Sequence, residues 1–268
     1  MKELTDSQWN TIRYLIPKQT GPGKPRAEDR ETLNAILYVM RTGCRWDDLS
    51  KTQYAHSYTT AWRRLKRWEE DGTWKRILDS LISKGYSLGI VRMDELSIDS
   101  TTVPAKKGES RLAMTVTSTS RARSKIHAVT TRESLPVALA MGPGNAHEGR
   151  KLIPVMESIN VKHGKGRPRR RPRILYADTK YNMPLNKFYL DGKKIRSQMP
   201  DPPGKKKRSG RQRAFDKQAY NRVRSMIERF NGWIKAFRRV ATRYDRLPQV
   251  YMGFVHLASI MVYLRILQ

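Results

Sequence analysis

The pattern of apolar residues changes period once, near Gly89, and this change restricts the fold more than any other feature of the chain. Before it, apolar residues recur three and four positions apart, as on one face of a helix; after it, β-branched residues come close to the alternation of a strand. Thr5 and Gln8 have the spacing of a capping box, in which two side chains satisfy free backbone N–H groups, and Trp9, Ile12, Leu15 and Ile16 follow on one face. Pro17 and the GPGKP stretch end that helix. A second is expected from Asp29 to Thr42, with Leu33, Ile36, Leu37 and Met40 on its apolar side and Gly43 to terminate it. A third begins near Ser57, burying Tyr58, Ala61, Trp62 and Leu65 and turning Arg63, Arg64, Lys66 and Arg67 mostly outward, and a fourth covers Trp74 to Lys84.

Beyond Gly89, residues 90–100 read as a strand ending near Asp99, and Lys125–Thr131 and Pro136–Met141 as two strands joined by a short turn. GPGNAHEG is a loop by composition, Lys151–Ser158 a short helix, Arg173–Asp178 a buried strand and Lys194–Met199 a further one, while 214–239 and 248–267 are helical. Strands interleaved with helices, with crossovers long enough for parallel pairing, give an α/β class. The expected organisation is a helical domain over residues 1–88 and an α/β domain over 89–268.

Charge narrows the partner. The chain carries 54 Lys and Arg against 24 Asp and Glu, a formal charge of +30, which repels itself in the compact state unless a polyanion offsets it. Nucleic acid is the leading partner and an anionic membrane the weaker one. The apolar stretch from Gly253 to Leu267 is interrupted by His256, Ser259 and Arg265 and is expected to fall short of a membrane span. With a single cysteine, Cys44, and no apolar core at the N-terminus, the sequence reads as that of a soluble protein of a reducing, cytoplasmic compartment with no membrane partner. The basic third helix suits a helix-turn-helix arrangement on DNA, or else a bundle with a solvated charged face. Two basic runs, KGRPRRRPR (with Arg169, Arg170 and Arg171) and GKKKRSGRQR (with Lys205, Lys206 and Lys207), are candidates for phosphate contact or plain solvated loops.

Carboxylates are scarce in so basic a chain, so their placement carries information. Asp99 and Asp178 each close an apolar strand, and in a parallel pair about 4.8 Å apart their side chains would lie near enough to share ions. Two such groups repel unless cations compensate, and oxygen-only ligands suit Mg²⁺, or Mn²⁺ in its place. Glu228, on the basic helix YNRVRSMIERFNGWIKAFRR with Arg224 and Lys235 near its face, is the candidate third carboxylate. Singly, each is as well explained as a turn former or surface ion pair. His127 and His147 read as structural histidines, with proton shuttling as the alternative.

Together, SIDSTT, SKIHAVTT, GNAHEG, ILYADTKYN, the spaced Arg224, Glu228 and Lys235, and ATRYDRL resemble the DDE transposases of bacterial insertion sequences, most closely those of the fifth insertion-sequence family. The N-terminal LTDSQW, GKPRAEDR, LNAILYVMRTGCRWDDL and TTAWRRLKRWEEDG are similar to the helical DNA-binding domain of the same enzymes, so the resemblance spans nearly the whole chain. It implies a ribonuclease-H-like catalytic domain with Asp99, Asp178 and Glu228 as metal-binding triad for two Mg²⁺ ions. It further implies cleavage at terminal inverted repeats, transfer of the freed 3′ end into double-stranded target DNA, and a homodimer or larger assembly. Arg224, Glu228 and Lys235 match the family's Tyr, Arg, Glu, Lys signature, whereas Tyr220 lies one residue further upstream than that pattern places it. Glu148 stands where the family often has Asp and is not assigned to the metal site. The segment KTQYAH at 51–56 departs from the family's glycine-containing turn. The rival functions are a nuclease of the same fold that cuts without joining, and a DNA-binding regulator whose acids only stabilise the fold.

Overall fold

The computed structural model describes residues 3–18, 25–54, 58–106, 123–162, 164, 166–201 and 215–268. Lys205, Lys206 and Lys207 lie outside them, as does part of the 51–56 segment. In chain order the elements are α1 (Asp6–Ile12), α2 (Asp29–Thr42), α3 (Tyr58–Glu70), α4 (Thr73–Ser87), β1 (Glu95–Pro104), β2 (Arg123–Thr131) and β3 (Pro136–Pro143). They continue as α5 (Leu152–Glu157), β4 (Ile174–Ala177), α6 (Pro184–Gly192), β5 (Arg196–Gln198), α7 (Lys217–Lys235), α8 (Arg238–Ala241) and α9 (Pro248–Ile266).

By compactness the chain forms two units. The first takes Met1–Leu81, Val103–Ala122 and Trp233–Gln268; the second takes Ile82–Thr102 and Arg123–Gly232. In the first, Thr5 Oγ1 accepts the Gln8 N–H and Gln8 Oε1 accepts the Thr5 N–H, both at 3.2 Å, completing the capping box of α1. Helix α2 ends as expected on Gly43, at φ 72°, a left-handed conformation in which glycine lacks the Cβ clash of other residues.

Helix α3 departs from its sequence reading. Its buried stripe is Ala61, Arg64, Leu65 and Trp68, while Tyr58 is exposed and Trp62 only half-buried. Arg64 therefore falls on the apolar face, where burial without a partner is costly. It pairs with Asp29, donates to the Ala27 carbonyl at 3.4 Å and lies 5.4 Å from the Trp68 ring centroid. Lys66 is half-buried and pairs with Glu70 at 3.4 Å, so Arg63 and Arg67 are the two cations of this set that α3 leaves fully exposed.

Helix α9 is correspondingly apolar all round. By length and composition its 19 residues could cross a membrane, contrary to the expectation that this stretch falls short. Most of it is buried, and it packs against α3, with Gly253 permitting the approach: a Cβ there would lie 2.8 Å from Leu65 Cδ1.

In the second unit the described strands form one sheet of order β3-β2-β1-β4-β5. β2 and β3 are an antiparallel hairpin, and β4 is parallel to both β1 and β5. With the helical N-terminal region before it, this mixed sheet is the ribonuclease-H-like α/β arrangement expected for the C-terminal part. Helix α6 was not anticipated from periodicity; it starts with Pro184 in the first turn, where a missing N–H costs nothing. The helix expected over 214–239 is interrupted at Phe237, whose extended backbone (ψ 118°) separates α7 from α8.

Candidate active site

β1 and β4 pair in parallel through Glu95↔Ile174, Leu96↔Leu175, Ser97↔Tyr176 and Ile98↔Ala177. The next residues in register are Asp99 and Asp178, so the two carboxylates emerge side by side where the pairing stops. Asp178 follows β4 and caps the turn Thr179–Tyr181, its Oδ1 accepting the Thr179 N–H at 2.6 Å. Asp99 does not end its strand as expected: β1 runs on to Pro104, and only its pairing with β4 ends there. Its Oδ1 accepts the Ser100 N–H at 2.7 Å.

Helix α7 closes the site from one side. Tyr220 and Val223 pack on Tyr176 of β4, which brings Tyr220 and Arg224 to the cleft that Asp99 and Asp178 line. The one-residue displacement of Tyr220 is explained here. At four-residue spacing Tyr220, Arg224 and Glu228 stack along one face of α7, with Arg224 donating to the Tyr220 hydroxyl at 3.4 Å and, through Nε, to Glu228 Oε1 at 3.0 Å. Glu228 itself is 58% exposed and is taken up by Arg224. Among the described residues no group of three acidic, His or Cys side chains is gathered closely enough to hold a metal ion. Lys235, the last residue of α7, lies on the part of that helix belonging to the first unit, and burial lowers its ammonium pKa.

The field of the site is uneven. Burial pushes the Asp99 carboxyl up to about 6; the Ser100 N–H and Arg224 oppose the rise, and Glu148 and Asp178 add to it. The Arg224 guanidinium is held above its ordinary range by its bonds to Glu228 and Tyr220.

Glu148, left unassigned from sequence, is a buried neighbour of this pair. Its Oε1 accepts from Lys180 at 3.1 Å and pairs with Lys125 at 3.2 Å. Burial alone would raise its pKa, but the two lysines outweigh it and the net shift is downward. Gly149 allows the approach, since a Cβ there would sit 2.8 Å from the Lys180 carbonyl oxygen and closer still to Met183 Sδ. The sequence signal for it is a glutamate followed directly by glycine in the GPGNAHEG loop of a chain poor in carboxylates. His147 caps the same turn through Nδ1, 3.2 Å from the Gly149 nitrogen, a structural role.

His127 is buried, with Nδ1 3.2 Å from the Tyr181 hydroxyl, and burial lowers its pKa to about 4. It therefore stays neutral at physiological pH, and in an NMR titration its ring protons should barely shift between pH 6 and 8, a range that begins about two units above that value. A midpoint near the unperturbed value of about 6.5 would make it a candidate proton shuttle again.

Of the basic run, Arg169 pairs with Asp94 at 3.8 Å and lies over the Tyr86 ring, Arg171 donates to the Lys193 carbonyl at 2.7 Å, and Arg170 is exposed.

Residues 92–263 match the family model described as "Transposase DDE domain", and residues 4–78 match the one described as "Putative transposase of IS4/5 family". The chain belongs to the DDE transposase family. Among relatives of the family, an "Insertion element IS402 uncharacterized 16.2 kDa protein" of Burkholderia cepacia is 30% identical over 117 residues, 42% of this chain and 80% of that one. A "Putative transposase for insertion sequence element IS402" from the same organism is 29% identical over 147 residues, 54% of this chain and 65% of the relative. The chain is thus related to IS4/5-family insertion-sequence transposases. The fold is similar to that of piggyBac transposase, solved as a synaptic complex with hairpin DNA, with a TM-score of 0.52 at 8% identity over 96% of this chain and 70% of the other.

Proposed function

We propose that this chain is a DNA transposase, closest to the fifth insertion-sequence family, that binds the ends of its element, cuts them and joins the freed 3′ ends to target DNA. The observation that carries the reading is the register of β1 and β4, which sets Asp99 beside Asp178 under Arg224 in a chain of the DDE family.

Two Mg²⁺ ions, with Mn²⁺ as substitute, are the implied cofactor, and the donor set fits them in part: two hard carboxylates side by side, one destabilised as an anion by burial, in a cleft where a cation would relieve both. Bound there, divalent ions would supply Lewis-acid activation of the attacking oxygen and stabilisation of the leaving one. Asp99 and Asp178 would hold them. Glu228 would complete the set by giving up Arg224, an exposed pair of a kind that contributes only about 0.3–0.5 kcal/mol. Arg224, so released, is beside the acidic pair to orient the scissile phosphate and offset its growing negative charge. Tyr220 holds Arg224 from below, and the exposed Arg63 and Arg67 of α3 are the proposed end-recognition cations. Joining two ends calls for a dimer or larger assembly, and double-stranded DNA as substrate calls for the bacterial cytoplasm and nucleoid.

The deciding experiment is an assay on paired element ends with Mg²⁺, scoring both cleavage and strand-transfer products. Hydrolysis without joined products would leave the nuclease reading in its place. A second test needs no turnover: Mg²⁺ should raise the melting temperature of the wild-type chain at neutral pH, and this rise should vanish in Asp99→Asn, because binding to the native state alone stabilises it. An equal rise in both proteins would remove Asp99 from the proposed ligands.

A further inference from the structure

The second unit carries another concentration of charge, at the opposite ends of the strands that bear the acidic pair. Asp94, Arg173 and Ile195 come immediately before β1, β4 and β5, and all three border an open groove. Asp99 and Asp178 come after the last β1–β4 pair, so the two sites are separated by the length of β4, roughly 15 Å at about 3.3 Å per residue. Seven arginine and lysine side chains line the groove against two carboxylates, Asp94 and Glu157. Those two carboxylates are already engaged, with Arg169 and Lys193. Among the described residues Arg167, Arg173 and Lys194 are exposed and make no ion pair with a carboxylate.

This is not a loosely solvated loop. Arg169 and Val161 exchange both backbone hydrogen bonds, at 2.8 and 3.0 Å, and the Arg173 N–H and carbonyl bond to Asp94 and Arg196, each at 2.9 Å. The backbone of the basic run is thereby tied to Val161 and to the starts of β1 and β5, which limits how far its cations can move before any ligand arrives.

Lys194 is the most telling member. Helix α6 ends in a Schellman motif, in which the Lys194 N–H bonds to the Asp191 carbonyl and the Ile195 N–H to the Leu190 carbonyl. The position of Lys194 in such a motif normally takes glycine because its backbone is left-handed. Here Lys194 adopts φ 55° with a full side chain, where glycine would carry no Cβ strain.

We infer that this groove binds the phosphate backbone of duplex DNA at phosphates removed from the one that is cut. Its separation from Asp99 and Asp178 equals about four base-pair steps at 3.4 Å each, so one phosphate cannot occupy both places. Seven cationic side chains on one groove suit a run of backbone phosphates, a contact that does not depend on base sequence. The inference rests on the proposed function for the identity of the polyanion.

The test is metal-free binding of fluorescent duplexes of about 30 base pairs, three helical turns, over a range of salt concentrations. One duplex carries the element end and the other a scrambled sequence. The triple variant Arg167→Ala, Arg170→Ala, Lys194→Ala should lower the log–log salt slope by roughly 2 to 3, about 0.9 for each phosphate no longer neutralised, and equally for both duplexes. Lys194→Gly alone should raise the melting temperature by relieving the backbone while still weakening binding, a combination that a purely structural lysine would not produce. Unchanged slopes in both variants overturn the inference, as does a loss confined to the element-end sequence. Failure of the proposed function looks different: wild-type chain that binds both duplexes through this groove but yields no cleavage. Conversely, intact cleavage with unchanged variant slopes removes the groove and leaves the function standing.

Discussion

Asp178→Asn should reduce cleavage of element-end DNA by about three orders of magnitude or more, the scale of losing groups that stabilise transition-state charge in a phosphoryl transfer, with the folded state retained. Asn keeps the capping geometry, because its side-chain oxygen can still accept the Thr179 N–H that Asp178 now accepts at 2.6 Å. What it loses is the charge that would hold a cation. Asp99→Asn should reduce activity to the same extent and, unlike Asp178→Asn, should also change stability. In the native state the Asp99 carboxyl is held up to about 6, mainly by burial, so the folded chain binds this proton more tightly than the unfolded chain does. The contribution of the group to stability is therefore fully present at and below about pH 4 and is lost as pH rises to about 6. At pH 7.5 without divalent metal, Asp99→Asn should be more stable than wild type by about 2 kcal/mol, from a shift of roughly two units at 1.36 kcal/mol each with some discount for relaxation. At pH 4 the two should be equal. Denaturant titrations at the two pH values in the presence of a chelator measure this directly. Cleavage by either variant at near wild-type rates would remove that carboxylate from the proposed catalytic set.

Asp245→Ala should cost about 3–5 kcal/mol of stability, the usual penalty for stranding one member of a buried ion pair, out of a total of about 5–15 kcal/mol for a folded domain. Asp245 and Arg239 are 7% and 6% exposed and lie 3.3 Å apart. The same carboxylate accepts the Trp46 Nε1–H at 3.1 Å, and Arg239 also donates to the Cys44 carbonyl. The guanidinium is stacked between Trp46 and Tyr244, 5.9 and 5.1 Å from their ring centroids. Removing the carboxylate leaves a buried cation with no counter-charge, so the loss should be far larger than for an exposed pair such as Lys193–Glu157. Asp245→Asn, which keeps the indole bond and loses only the charge, should fall between wild type and Asp245→Ala. Urea unfolding monitored by tryptophan fluorescence gives the comparison, and a change below about 1 kcal/mol for Asp245→Ala, the scale of an exposed pair, would mean that Arg239 finds water or another acceptor.

These two sites differ in how far the sequence alone revealed them. Local periodicity and capping chemistry determined α2 from Asp29 to Thr42, the capping box of α1, the β2–β3 hairpin and the parallel relation of the strands carrying Asp99 and Asp178, because each depends on residues close in the chain or on a crossover length. The resemblance of the spaced motifs reached the family, which the match over residues 92–263 then established. Nothing local could show that Arg64 turns inward to Asp29, that Glu148 sits between Lys125 and Lys180, or that Arg239 and Asp245 enclose a site with Cys44 and Trp46. A charged side chain on an apolar stripe reads the same whether it is solvated or paired, and its partner is chosen by packing across tens or hundreds of residues. The same reason holds for the acidic set. The sequence supplied three carboxylates; only the tertiary structure distinguished the two brought into register by a parallel strand pair from Glu228, which is taken up by an arginine one turn away.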